Sequence, residues 1–223
     1  WLFALSLLFW ASSAFALKSQ PNFYPIDLPS LQTLGAVHTI AQDRQQFMWI
    51  GGSNGLARYD GYTAKVWQHD DQNPNSISTN SINDMVFDSQ GALWLATYWG
   101  LNKYAPEQNR FEQYFHDPNE PNSLSSNSLI SIDQSPSGLW VGTQANGINY
   151  FDTQTQRFHR FDKTNSDLAS NDIIAVKTDS QGHLWVGYRD AGLSQFVIDG
   201  HNFKLKRHFT QAAGEVAHNY VWV

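Results

Sequence analysis

The chain contains no cysteine among its 223 residues. Disulfides, thiolate catalysis and cysteine-ligated metals are therefore excluded. Charge is scarce as well. Charged residues make up 15% of the sequence, with 14 basic against 20 acidic side chains and a formal net charge of −6. A nucleic-acid binder needs a basic face to neutralise phosphates, and this balance argues against one. Metal-ligand spacing is missing too: no HExxH occurs, and His38, His159, His183, His201, His208 and His218 fall into no other ligand pattern. Asp70-Asp71 and Asp88 make no calcium loop of the D-x-[DN]-x-[DN]-G kind. No G-x-S-x-G, P-loop or kinase motif is present. The sequence thus predicts no metal, no cofactor and no catalytic residue.

Aromatic residues, by contrast, reach 14%, with nine tryptophans. Disordered chains show the opposite bias, so a folded aromatic core is expected. Residues 1–16 read WLFALSLLFWASSAFA. This apolar run is shorter than the roughly 20 residues a membrane helix needs. It ends in the small-residue pattern Ala14-Phe15-Ala16, which predicts an export signal cut after Ala16. Residues 17–34 read as a lead-in, and the remainder is expected outside the cytoplasm.

The tryptophans keep time. Trp49, Trp94, Trp140 and Trp185 stand 45, 46 and 45 residues apart. A period of this length signals a repeat architecture. Two places after three of them stands a glycine (Gly51, Gly142, Gly187) and after the fourth Ala96. A glycine-aliphatic pair follows each: Gly55-Leu56, Gly100-Leu101, Gly147-Ile148 and Gly192-Leu193. Asn80, Asn127 and Asn171 open the units, and Asn219 starts what reads as the first strand of a fifth. Units are expected near residues 35, 80, 127, 171 and 219. Asp88 to Gly91 and Asp179 to Gly182 form D-S-Q-G turns. The third turn, Ser135 to Gly138, comes one residue closer to its Trp. The first, Asp43-Arg44-Gln45-Gln46, lacks the glycine and is expected to differ in shape.

Period-two alternation gives four strands per unit. In the second copy these are Ser81 to Phe87, Leu93 to Thr97, Leu101 to Tyr104 and Phe111 to Phe115. The second strand is apolar on both faces, so each sheet must be covered on both sides. Radial stacking of equivalent sheets meets that need, which is the β-propeller solution. The small residue two after Trp shares its face and would leave room for the neighbouring sheet. The predicted fold is all-β: four antiparallel blades over residues 35–223, plus one strand of an incomplete ring.

The unit N-S-[IL]-x(5)-D-S-x-G-x-L-W-[LV]-[AG]-T-x-x-G-L-x-x-[YF] resembles the two-component regulator propeller repeat. Asn80 to Tyr104 fits it best, and Asn127 to Tyr150, Asn171 to Phe196 and Gly35 to Tyr59 follow. The connecting runs Pro74 to Ser78 and Pro121 to Ser125 are similar to the family's as well. The resemblance implies a periplasmic sensor propeller ahead of a transmembrane helix and a cytoplasmic histidine kinase or diguanylate cyclase. Neither output domain lies in this segment, so no enzyme activity is expected within it. The expected partner is a small ligand of unknown identity, which the loop residues below suit to a carbohydrate-like one, or a periplasmic protein, and the full receptor is expected as a homodimer. A lyase or hydrolase propeller and an interaction scaffold remain the alternatives.

Binding residues concentrate in variable loops on a rigid scaffold. The loops between second and third strands vary here and carry Asn54, then Tyr98 and Trp99, then Asn146, then Tyr188, Arg189 and Asp190. Tyr98 and Trp99 suit stacking on a sugar ring. Arg189 suits a carboxylate or phosphate, or an ion pair with Asp190. Asn54 and Asn146 suit hydroxyls. His69 and His116 occupy one repeated column, which points to a role in the repeat itself.

Overall fold

The computed structural model describes residues 25–222. The expected export signal and its cleavage residues Ala14 and Ala16 lie outside the described residues, as do residues 17–24 of the lead-in. Sixteen strands form four separate antiparallel sheets, each a simple meander. The first sheet comprises β1 (Val37–Gln42), β2 (Met48–Gly52), β3 (Gly55–Tyr59) and β4 (Ala64–Trp67). The second has β5 (Ile82–Phe87), β6 (Leu93–Thr97), β7 (Gly100–Ala105) and β8 (Arg110–Tyr114). The third has β9 (Leu129–Ser135), β10 (Gly138–Thr143), β11 (Ile148–Asp152) and β12 (Arg157–Phe161). The fourth has β13 (Ile173–Thr178), β14 (His183–Tyr188), β15 (Leu193–Asp199) and β16 (Asn202–Phe209). The first strands adjoin in order: β1 lies beside β5, β5 beside β9, and β9 beside β13. They line the axis, and the sheets radiate from it as propeller blades.

Each of the first three blades buries its tryptophan in the seam with the next. Trp49 packs with Leu93, Tyr104 and Phe111 of the second blade. Trp94 packs with Leu139, Phe151 and Phe158 of the third, and Trp140 with Leu184 and Phe196 of the fourth. Strand β6 is buried along its whole length, as two-sided apolar patterning requires. The small residue after Trp does leave the expected room. A Cβ on Gly51 would come within 2.7 Å of Ile82 in the next blade, and one on Gly142 within 2.6 Å of Ile173. Ile77, Leu124 and Leu168 are buried plugs beneath the connecting loops. The lead-in is not separate from the fold, for Leu34 is fully buried and its carbonyl receives the Asn54 N–H.

The repeated asparagine closes each blade onto the following one. Its carbonyl accepts the N–H of the glycine that opens the preceding blade's third strand: Gly55 to Asn80, Gly100 to Asn127, Gly147 to Asn171 and Gly192 to Asn219, at 2.7–2.9 Å. Its side-chain oxygen accepts a connector N–H from His69, His116, Lys163 and Gln211 respectively. His69 and His116 also bond through Nδ1 to the carbonyls of Ile77 and Leu124. That column therefore serves the repeat.

Two expectations are corrected here. The first turn does not differ: Gln46 takes the left-handed conformation, φ 70°, that Gly91 and Gly182 take at φ 89° and 78°. Its N–H returns to the Asp43 carbonyl as theirs do to Asp88 and Asp179. The turn is held by its aspartate, which accepts the tryptophan indole N–H in copies one, two and four (2.8, 2.9 and 2.8 Å). The shortened third turn lacks that acid, and the Trp140 indole N–H is buried without a partner. Second, Asn219 to Trp222 forms no strand among the described residues. A strand needs a ladder partner, and none pairs with these residues among those described.

Candidate functional site

Every first strand carries a β-bulge at its second residue: the register shifts between Val37 and Thr39, between Ile82 and Asp84, between Ile173 and Ala175, and across Leu129 to Ser131. Bulges re-aim side chains. The residues so placed are His38, Asn83, Ile130 and Ile174, and Trp222 holds the same place after Asn219. His38, Asn83, Ile130 and Trp222, joined by Tyr98, surround a cavity of about 270 Å³ at the axial mouth. Trp222 and Tyr98 are 64% and 50% exposed, so both rings stand open to solvent.

Hydrogen bonds fix the polar pair. The His38 Nδ1 lies 2.9 Å from the Ile82 carbonyl. A carbonyl only accepts, so Nδ1 bears the proton and Nε2 is left as an acceptor in the neutral ring. The Asn83 amide Nδ2 donates to the Leu129 carbonyl at 2.6 Å, which leaves Oδ1 to accept. The mouth thus presents two acceptors between two aromatic faces. Below it the first strands are laced together. Thr39 donates to Asp84, whose other oxygen accepts from the Ser131 hydroxyl and the Ile132 N–H, and the Val176 N–H donates to Ser131. This lacing makes the rim a rigid platform.

The loop residues picked from sequence do not gather at one place. Tyr98 belongs to the axial mouth. Trp99, its neighbour, is 57% exposed but faces another hollow with His69, Pro74 and Phe115, so the two rings do not form one stacking platform. Asn54 is engaged in holding the lead-in: Nδ2 donates to the Thr33 carbonyl at 2.8 Å and Oδ1 accepts from Asn80. Asn146 and Asp190 are exposed, away from the mouth.

Tyr188 is a correction, since it is fully buried. Burial pushes its hydroxyl up to about 12. The reason is compensation within the repeat. In copies two and three, Asn102 and Asn149 accept the N–H of Ser78 and Ser125, just after each plug. In copy four Ser194 replaces that asparagine, and the Tyr188 hydroxyl accepts the Ala169 N–H while donating to Ser194. Arg189 pairs not with Asp190 but with Asp172, Nε to Oδ2 at 2.8 Å. Its guanidinium also lies 5.7 Å from the Tyr220 ring, which neighbours Trp222 at 6.1 Å. Arg189 therefore braces the aromatic rim from behind. Sequence reading missed Asn83, Ile130 and Trp222. The signal was present, as all three sit three residues after an opening asparagine and differ from copy to copy.

Among the described residues no group of three or more His, Asp or Glu is arranged to hold a metal ion. No helix there is long and apolar enough to cross a membrane.

Residues 76–99 and 167–190 match the two component regulator propeller family model. The chain is similar to the extracellular domain of BT3049, assigned as a hybrid two component system of B. thetaiotaomicron, at 29% identity and a TM-score of 0.70, over 81% of this chain and 25% of that one. It is similar to the extracellular domain of BT4673 from the same organism at 21% identity and a TM-score of 0.65, over 78% and 26% of the two chains. Virginiamycin B lyase from Staphylococcus aureus shares the fold alone: 15% identity, TM-score 0.56, over 80% of this chain and 57% of that one. No curated protein gives a significant match. Two stretches of the chain thus match the two component regulator propeller repeat, and the chain spans about a quarter of the length of the two-component ectodomains it matches.

Proposed function

We propose that this chain is part of the periplasmic sensory propeller of a membrane receptor, and that the axial mouth holds its ligand. The reading rests on one observation. The four bulge positions carry His38, Asn83, Ile130 and Ile174, two polar side chains that differ from each other and an apolar pair, and His38, Asn83 and Ile130 meet Tyr98 and Trp222 around one cavity. Positions kept alike maintain the repeat; positions that diverge at a shared rim give a ring its specificity. Two acceptors between two aromatic faces suit a polyol ring, whose hydroxyls donate and whose C–H face stacks. The likeness to ectodomains of two-component systems supports a binding role over turnover. In the full-length protein, ligand shifts the output only through differing affinity for two receptor states. That output is a kinase or cyclase beyond an inner-membrane helix, and the receptor acts as a homodimer.

The test is a thermal-shift screen of neutral and acidic monosaccharides and short oligosaccharides, followed by titration calorimetry on any hit. Trp222→Ala and Tyr98→Ala should each weaken binding about tenfold or more without lowering the unfolding temperature. A hit that binds both variants as tightly as the parent would move the site elsewhere.

A further inference from the structure

The blade seams repeat one small geometry on the side away from the axis. In each blade the residue opposite the seam tryptophan shares its face of the sheet. The registers pair Trp49 with Arg58, Trp94 with Lys103, and Trp140 with Tyr150. In the second seam Lys103 lies over the Trp94 ring at 5.3 Å, and the cleft there holds about 50 Å³. In the third seam Tyr150 takes the position, and the stacked rings of His159 and His201 lie beside it. The first seam is open, with a cleft of about 590 Å³ between Phe47 and Arg58 of one blade and Phe87, Tyr104 and Glu107 of the next.

Two of the three charged side chains that line that cleft, Arg58 and Glu107, have no ionic partner among the described residues. The Arg58 guanidinium is half-buried against two rings, 4.8 Å from the Phe47 centroid and 5.8 Å from Trp49. The other carboxylate, Asp43, is already engaged: it accepts the N–H groups of Gln45, Phe47 and Trp49 Nε1. A guanidinium partly removed from water gains most from a planar anion that it can grip with two parallel bonds. A simple anion would meet Asp43 and Glu107, and a simple cation would meet Arg58. A ligand carrying both charges and an apolar body fits all the walls.

We propose that the first seam is a second ligand site, distinct from the axial mouth, that takes a free α-amino acid with an aromatic or large apolar side chain. Its carboxylate pairs with Arg58, its ammonium faces Glu107, and its side chain lies against Phe47 and Phe87. This site does not depend on the sugar reading of the mouth.

The probe is L-phenylalanine, titrated into the whole chain by calorimetry. Saturable one-site binding is expected. Arg58→Gln should weaken it about tenfold or more, as loss of a charge-assisted pair does, and Glu107→Gln should weaken it about threefold or more. Trp222→Ala should leave it unchanged, which separates this site from the mouth. N-acetyl-phenylalanine, lacking the ammonium, should bind more weakly than the free amino acid. Absence of saturable binding up to about 10 mM overturns the proposal. So does affinity unchanged in a folded Arg58→Gln variant. Should that variant not fold, exposed Glu107→Gln decides, and equal affinities for the parent and Glu107→Gln overturn the assignment.

Discussion

Two sets of repeated positions behave in opposite ways. At the connector clamp, Asn80, Asn127, Asn171 and Asn219 make the same pair of hydrogen bonds four times over. At the axial bulge, three residues further on, the copies hold His38, Asn83, Ile130, Ile174 and Trp222. The register shift is alike in the four first strands, so the conformation does not dictate the difference between His38, Asn83 and the two isoleucines. The clamp side chain must reach and accept one connector N–H wherever one blade hands over to the next, and few side chains do that. The bulge faces an open cavity, where packing asks little and the side chain is free to answer to a ligand. Identity between copies thus marks stability, and divergence at equivalent geometry marks the candidate site.

The comparison is broken most severely at the seam tryptophans. Trp140 is fully buried among Tyr150, Phe161 and Phe203. Trp140→Ala should cost about 3–5 kcal/mol in a denaturant titration, whereas Trp222→Ala at the bulge should cost almost nothing. A loss below about 1 kcal/mol at Trp140 would mean the seam is not the core. A smaller contrast sharpens the same point. Asn127→Ala strands the His116 N–H and should cost about 1–2 kcal/mol. Asn83→Ala removes a bond to a carbonyl at the cavity rim and should cost less than about 1 kcal/mol. Equal losses would dissolve the distinction between clamp and bulge.

What the sequence made legible was whatever recurs. The tryptophan period and the small residue beside it stand, and the four strands of the second copy fall within about one residue of their expected limits, because each repeat reports the same contacts independently. What it hid depends on which neighbour the fold supplies. Tyr188 reads as a loop residue because it follows Gly187, yet it stands in for an asparagine that copy four has lost. Tyr98 and Trp99 are adjacent in sequence, but one faces the axis and the other the connector. The partner of Arg189 lies 17 residues away, on the incoming connection and not on its own loop. Gln46 shows the reverse error. Its missing glycine suggested a different turn, but the Asp43 side chain holds the standard one against the strain of a left-handed glutamine. Gln46→Gly should therefore stabilise the first blade by about 0.5–1 kcal/mol, measured as a rise in denaturation midpoint. A decrease would show that the glutamine side chain contributes something the turn needs.

The finest difference lies in two histidine environments, and pH separates them. His159 stacks on His201 with centroids 4.1 Å apart, bridging the third and fourth blades. Burial, and then the neighbouring His201, hold His159 below the ordinary histidine value of 6.5, with Arg157 acting the same way and Asp152 opposing. His69, in the connector, is raised above 6.5 by the Ile77 carbonyl first and by Asp71 next. The signs are opposite. A depressed histidine favours the folded state above pH 6.5, and that contribution is lost as pH falls through its folded value. A raised one contributes fully below pH 6.5 and is lost as pH climbs through its folded value. Imidazole NMR titration should find His159 titrating below His69. The variant His201→Asn should move His159 upward and flatten the loss of thermal stability as pH falls below about 6.5, while leaving His69 where it was. A titration in which His159 lies above His69 would mean that the stack carries no electrostatic tension, and that the third seam is held by Tyr150 and its aromatic neighbours alone.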